Sequence, residues 1–170
     1  MRLVQIIWRR IRQPWITVGA LGAVFDDEGR VLIVEHVFHP RCPWGLPGGW
    51  MNRNEDPADT IRRELHEETG LTVTVEEILL IQRTPEVSSH LDVAMLCRAA
   101  PGPVTLSSEL LAYRWCDPTD KANMPKLIAF HRQVIKAALD ARAKRNPELS
   151  KQPVIADEVF AYHAPNNEAY

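Results

Sequence analysis

The sequence predicts an α/β or α+β domain in which helices cover a β-sheet. The first observation behind this is the order of its patterns, roughly βββ-helix-βββ-helix, with β-branched apolar runs alternating with segments of helical periodicity. The second is a helix over 57–69 whose two ends are both punctuated. The third is composition: 170 residues, 45% hydrophobic and 25% charged, suit one domain with a real core.

Ile16–Asp26 and Arg30–Phe38 read as strands joined through Asp27-Glu28-Gly29, a β-hairpin. His39–Gly49 holds three prolines and three glycines and reads as loop. In the 57–69 helix, Asp56 suits the N-cap, Pro57 the first helical position and Gly70 the position past the end. Leu71–Thr84 and His90–Ala99 read as strands with a turn at Thr84-Pro85-Glu86. The Pro101-Gly102-Pro103 break leads to a strand around Leu111–Cys116. Asn123 and Pro125 open a long helical pattern through about Lys144. The domain is thus expected over 16–145, between an N-terminal segment (1–15) and an extended tail (146–170) with three prolines and four acids against one lysine.

Twenty Lys and Arg against 22 Asp and Glu leave a net charge of −2, so no global basic field recruits DNA. Cys42, Cys97 and Cys116 are an odd number without metal-ligand spacing, which fits a reducing, cytoplasmic setting better than a disulfide scaffold. No apolar run approaches the ~20 residues of a membrane-spanning helix. Within MRLVQIIWRRIRQPW, Leu3, Val4, Ile7, Trp8 and Ile11 share one helical face, and Arg2, Arg9 and Arg12 lie opposite. That face suits packing on the domain or on a second copy as a homodimer. Contact with an anionic membrane surface is the alternative.

The 57–69 helix is unusual for one built only for stability. Glu64, Glu67 and Glu68 fall at i, i+3 and i+4, within an arc of about 100°. Like charges so spaced cost roughly 0.2–0.5 kcal/mol per pair, and acids near a helix C-terminus oppose its dipole. A divalent cation reverses the sign of both effects. Oxygen-only donors suit Mg²⁺ or Mn²⁺, which bridge carboxylates to phosphates. The preceding Trp44-Gly45-Leu46-Pro47-Gly48-Gly49 lets backbone approach a ligand closely. An acidic, solvated helix face after a turn is the plain alternative.

The full spacing is more specific. Gly49, Glu55 and Arg63-Glu64-Leu65-His66-Glu67-Glu68-Thr69-Gly70-Leu71 resemble the Nudix box of Nudix hydrolases, with every specified position filled over residues 49–71. The resemblance extends from about Ile16 to Lys144. It implies an α/β/α sandwich with a mixed β-sheet, and a hydrolase that directs water at a phosphorus of a nucleoside diphosphate linked to another moiety. By the same resemblance Glu64, Glu67, Glu68 and the Gly49 carbonyl are metal ligands, for Mg²⁺ or Mn²⁺. Arg63 orients a carboxylate, and Glu55 is its structural partner. Members of the family take their general base from the box or from a separate loop. Glu109, before the Tyr113-Arg114-Trp115 strand, resembles the latter, with an exposed loop acid or helix-capping neighbour as the plain alternative, and Glu86 is the weaker candidate.

Trp44 and Trp50 flank the glycine loop and offer rings to a base. Arg83 and His90, at the ends of adjacent strands, are candidates for phosphate or ribose contact; ordinary packing or solvation is the alternative for all four. Cys97 reads as a buried apolar residue. His36, His39 and His131 lack metal-like spacing. The expected partner is a small nucleotide. A nucleotide sugar or ADP-ribose-like compound ranks ahead of a nucleoside triphosphate, and Pro85, fourteen residues past Leu71, weakly resembles the ADP-ribose pattern. A nucleotide-binding module without turnover and an RNA 5′-end pyrophosphohydrolase are the alternatives.

Overall fold

The computed structural model describes residues 16–38, 41–83 and 89–146. The N-terminal amphipathic segment, the turn with Pro85 and Glu86, and the tail beyond Asn146 lie outside the described residues. Seven strands and two helices follow in the order β1 (Thr17–Phe25), β2 (Val31–His36), β3 (Trp44–Gly45), β4 (Gly48–Trp50), α1 (Pro57–Thr69), β5 (Val73–Arg83), β6 (His90–Ala99), β7 (Leu110–Cys116) and α2 (Ala129–Arg145). They form one mixed sheet, because β1 runs parallel to β6 while its other pairings are antiparallel.

Strict alternation gives the sheet two apolar faces. Ala20, Val24, Leu32, Val34, Val93, Met95 and Cys97 point to the side where Ile61 and Leu65 of α1 pack. Their neighbours Leu21, Ala23, Phe25, Val31, Ile33, Ala94 and Leu96 point to the side of Val134, Ile135 and Ala138 of α2. The result is the expected α/β/α sandwich. Cys97 lies buried in the first of these layers, and its thiol is pushed up to about 12 by burial.

Two corrections follow, the first of them to both the hairpin and the loop after it. The β1–β2 hairpin is joined only at Phe25↔Val31, beside its turn, and then opens. The 39–49 segment is not all loop, for its two short strands fill the gap. β3 takes the edge of β2 at Val34 and Glu35, and β4 takes the edge of β1 at Gly19–Leu21. Glycine makes this possible. At Gly48, φ is +153°, and a Cβ would stand 2.3 Å from the Ala20 carbonyl oxygen.

The second correction concerns α2, which begins at Ala129 and not near Asn123. The Asp120 carboxylate accepts from the amides of Ala122 and Asn123, closing a local turn there. Ile128, at φ −64° and ψ 157°, is still extended. The punctuation of α1 is as expected. Asp56 accepts from the Asp59 amide at 3.0 Å, Pro57 occupies the first turn, and Gly70 closes the helix at φ 70°.

Candidate active site

The opened hairpin delivers a glycine backbone onto the acidic face of α1. A Cβ at Gly49 would lie 2.3 Å from Cδ of Glu64, so the absence of a side chain is what lets that carboxyl sit against the strand. Next door, the Gly48 amide donates a hydrogen bond to Glu68. Beside the apolar seam of Ile61 and Leu65, β4 therefore meets the helix at two carboxylates.

Arg63 is the hub of the arrangement. Its Nε and Nη2 form a fork on Glu55, at 2.8 Å to Oε1 and 3.0 Å to Oε2. Nη1 donates to Glu64 Oε1 at 2.8 Å and to Glu67 Oε2 at 3.1 Å, and Nη2 also reaches the Trp50 carbonyl at 3.1 Å. Glu55 is further fixed by the Asn52 amide and the buried Thr60 hydroxyl. The Arg63 hydrogen bonds, followed by the Asn52 amide, hold its carboxyl down at about 2. The guanidinium in turn is raised above its ordinary range, chiefly by Glu55.

Glu68 is the outlier. It is 5% exposed, and its Oε2 is buried without a hydrogen-bond partner. Burial, followed by the charge of Glu64, pushes its carboxyl up to about 8, with smaller contributions from Glu109 and Glu67. Glu64 is also raised, first by burial and against the pull of Arg63. Among the described residues Glu68 Oε2 is the one buried side-chain polar atom left without a partner, and such an orphan is costly. Here it lies beside other acids, which compounds the cost.

Glu109 belongs to this neighbourhood, since its charge bears on both Glu64 and Glu68. Its loop is pinned to the end of α1 by the Ser107 amide on the Glu68 carbonyl at 2.9 Å, and to β2 by the Val37 amide on the Glu109 carbonyl at 3.1 Å. The remaining candidates are placed differently. Trp44 pairs with Glu35 in the sheet, packs on the α2-side layer and lies under Arg114, whose guanidinium carbon is 4.8 Å from its ring centre. Trp50 is exposed and tilted against His90, with ring centres 4.7 Å apart. Arg83 ends β5 opposite Leu91, so β6 and β1 separate it from β4.

The substrate role expected of His90 does not match its placement. His90 is buried, with Nδ1 at 2.7 Å from the Thr17 hydroxyl and Nε2 at 3.2 Å from Asp92. Both ring nitrogens are engaged within the sheet. Sequence reasoning in turn missed two groups that shape the site: the Gly48 amide and the Thr60 hydroxyl. Only Gly48 carried a signal, as one of a glycine pair.

Among the described residues, no three His, Cys, Asp or Glu side chains converge on one point, because Arg63 draws Glu64 and Glu67 to itself. The donor set nevertheless fits a hard cation. It is oxygen only, it contains the unpartnered Glu68 Oε2, and the side-chain-free Gly49 lies against Glu64.

Comparison with known proteins agrees with this geometry. Residues 15–138 match the model of the NUDIX domain. The human protein called nucleoside diphosphate-linked moiety X motif 6 is 34% identical over 112 residues, covering 62% of this chain and 35% of that protein. The chain thus spans about a third of that relative. An ADP-ribose pyrophosphatase of Methanocaldococcus jannaschii is 22% identical over 121 residues, covering 69% of this chain and 70% of that protein. In fold, an ADP-ribose pyrophosphatase from Streptococcus suis superposes with a TM-score of 0.61 at 24% identity, covering 75% of this chain and 92% of that one. With the family model matched across the whole strand–helix frame that holds Gly49, Arg63 and Glu68, the chain belongs to the Nudix family of hydrolases.

Proposed function

We propose that this protein is a Mg²⁺- or Mn²⁺-dependent diphosphohydrolase that cleaves the pyrophosphate linkage of a nucleoside diphosphate joined to another moiety. Nucleotide sugars and ADP-ribose-like compounds rank ahead of nucleoside triphosphates, a preference supported by the relatives named as ADP-ribose pyrophosphatases. The observation that carries the reading is Glu68, a buried carboxylate with an unpartnered oxygen among other acids. Glu64, Glu67, Glu68 and the Gly49 carbonyl are the groups that would hold the cation. The chemistry such an ion supplies when bound is neutralisation of phosphate charge and a lower pKa for water.

The chain's own residues do the rest. Arg63 gathers Glu64 and Glu67 on one guanidinium nitrogen while its fork on Glu55 fixes the guanidinium plane. Glu109, outside the Arg63 network and on a loop pinned to the end of α1, accepts the proton of the attacking water. In-line displacement at phosphorus needs positioning and charge stabilisation more than a covalent nucleophile. Trp44, packed on the α2 side under Arg114, and Arg83, two strands away from β4, stand apart from the acidic cluster. The His90 side chain, held by Thr17 and Asp92, supports Trp50 instead of meeting substrate.

A substrate panel tests this. ADP-ribose, nucleotide sugars, nucleoside triphosphates, dinucleoside polyphosphates and NADH are offered with Mg²⁺, coupled to alkaline phosphatase or pyrophosphatase so that each product is seen. Turnover should be greatest on a linked diphosphate and should fall about 100-fold or more in Glu109→Gln, with KM little changed. A full kcat for Glu109→Gln would remove it as base. Silence across the panel would remove the hydrolase reading.

A further inference from the structure

We infer that His131 is a positioning residue for the acidic site, holding the Gly45–Gly49 strap from the opposite face of the sheet. This rests on the hydrolase reading above. His131 stands in the first turn of α2, one turn ahead of the buried Val134 and Ile135. Its Nδ1 accepts the Leu46 amide at 3.3 Å, which requires the neutral ring with its proton on Nε2. The strap lies flush on that ring. A Cβ at Gly45 would stand 2.7 Å from His131 Cε1 and 3.4 Å from His36 Nε2, so only glycine leaves room for the contact.

From this anchor the strap runs directly to the acids. Leu46 is buried in the α2-side layer, the Pro47 carbonyl accepts the Gly22 amide at 2.9 Å, the Gly48 amide bonds Glu68, and Gly49 abuts Glu64. His131 therefore touches neither acid yet sets the height of the backbone that meets both. Released from the ring, the strap loses the tether that precedes its two contacts with Glu68 and Glu64. Groups that orient ligands from behind are commonly worth 10–100-fold in metal affinity.

The pair His131→Asn and His131→Gln tests the assignment. The Asn side-chain oxygen reaches roughly where Nδ1 stands, whereas Gln places its polar end near Nε2. Mn²⁺ affinity is read by calorimetry, together with kcat and thermal stability, on the full chain. Mn²⁺ binding should weaken about 10-fold in His131→Gln and be largely kept in His131→Asn, with both variants melting at similar temperatures. Equal affinity in both variants and the wild type would overturn the inference. So would a loss of affinity that merely tracks the melting temperature, as a structural role would give. A wild type that binds no Mn²⁺ fails the hydrolase reading itself, which separates the two failures.

Discussion

Glu68→Gln should lower turnover by at least about 100-fold while making the metal-free protein more stable at alkaline pH. Both effects follow from one placement. The carboxylate is buried with an unpartnered oxygen, and its proton is held up to about 8, against 4.5 for a free glutamate. The folded state thus binds this proton more tightly than the unfolded chain. The stability it contributes is complete below pH 4.5 and is lost as pH rises through about 8.

Gln cannot ionise, so the variant keeps what the wild type loses. Leaving a buried polar group unsatisfied costs roughly 1–3 kcal/mol, and each kcal/mol moves the melting temperature of a chain of this size by about 2–4 °C. The melting curves of the two proteins in chelator should coincide near pH 4 and separate by pH 8.5, with Glu68→Gln the higher. Saturating Mg²⁺ should close the gap by raising the wild type. A wild type that melts higher than Glu68→Gln at pH 8.5 without metal would contradict this trade of stability for function.

Gly49→Ala should be nearly as damaging to activity, from the smallest change available. The added carbon would arrive 2.3 Å from Glu64 Cδ and 2.4 Å from Oε1, where no atom fits. Glu64 has to leave, and its departure breaks the 2.8 Å bond from Arg63 Nη1. A displacement of about 1 Å in a catalytic group costs on the order of 100-fold in rate. The fold should survive, since the backbone of Gly49, unlike that of Gly48, does not need a positive φ. Kinetics and melting on the same preparation separate the two: kcat falls steeply, and melting moves little. An unchanged kcat would mean that Glu64 does not need its seat against β4.

Most of the frame was legible because local signals agree with tertiary ones. Asp56, Pro57 and Gly70 bracket α1 in sequence and in space. The alternation of Val31, Leu32, Ile33 and Val34 needs both sheet faces covered, and two helices cover them. What escaped depends on pairing across the chain. Two-residue strands such as Trp44–Gly45 carry no periodicity, and the hairpin opens only because β3 and β4 arrive to fill it.

The same holds at the site. The spacing of Glu64, Glu67 and Glu68 places them on one helix face, but burial singles out Glu68, and no spacing encodes burial. His90 looked available at a strand end, yet Thr17 on the parallel neighbour and Asp92 on its own strand take both its nitrogens. His131 is separated from Leu46 by 85 residues and has no local signature at all.

The most direct test is hydrolysis of ADP-ribose by the full chain in excess EDTA, before and after Mg²⁺ is restored, with Glu68→Gln alongside. The wild type should be silent in chelator and recover fully with Mg²⁺, while Glu68→Gln stays at least about 100-fold slower at saturating metal. Cleavage of ADP-ribose that continues undiminished in EDTA, or that Glu68→Gln catalyses as fast as the wild type, would contradict the assignment of the acidic face of α1 as the centre of the chemistry.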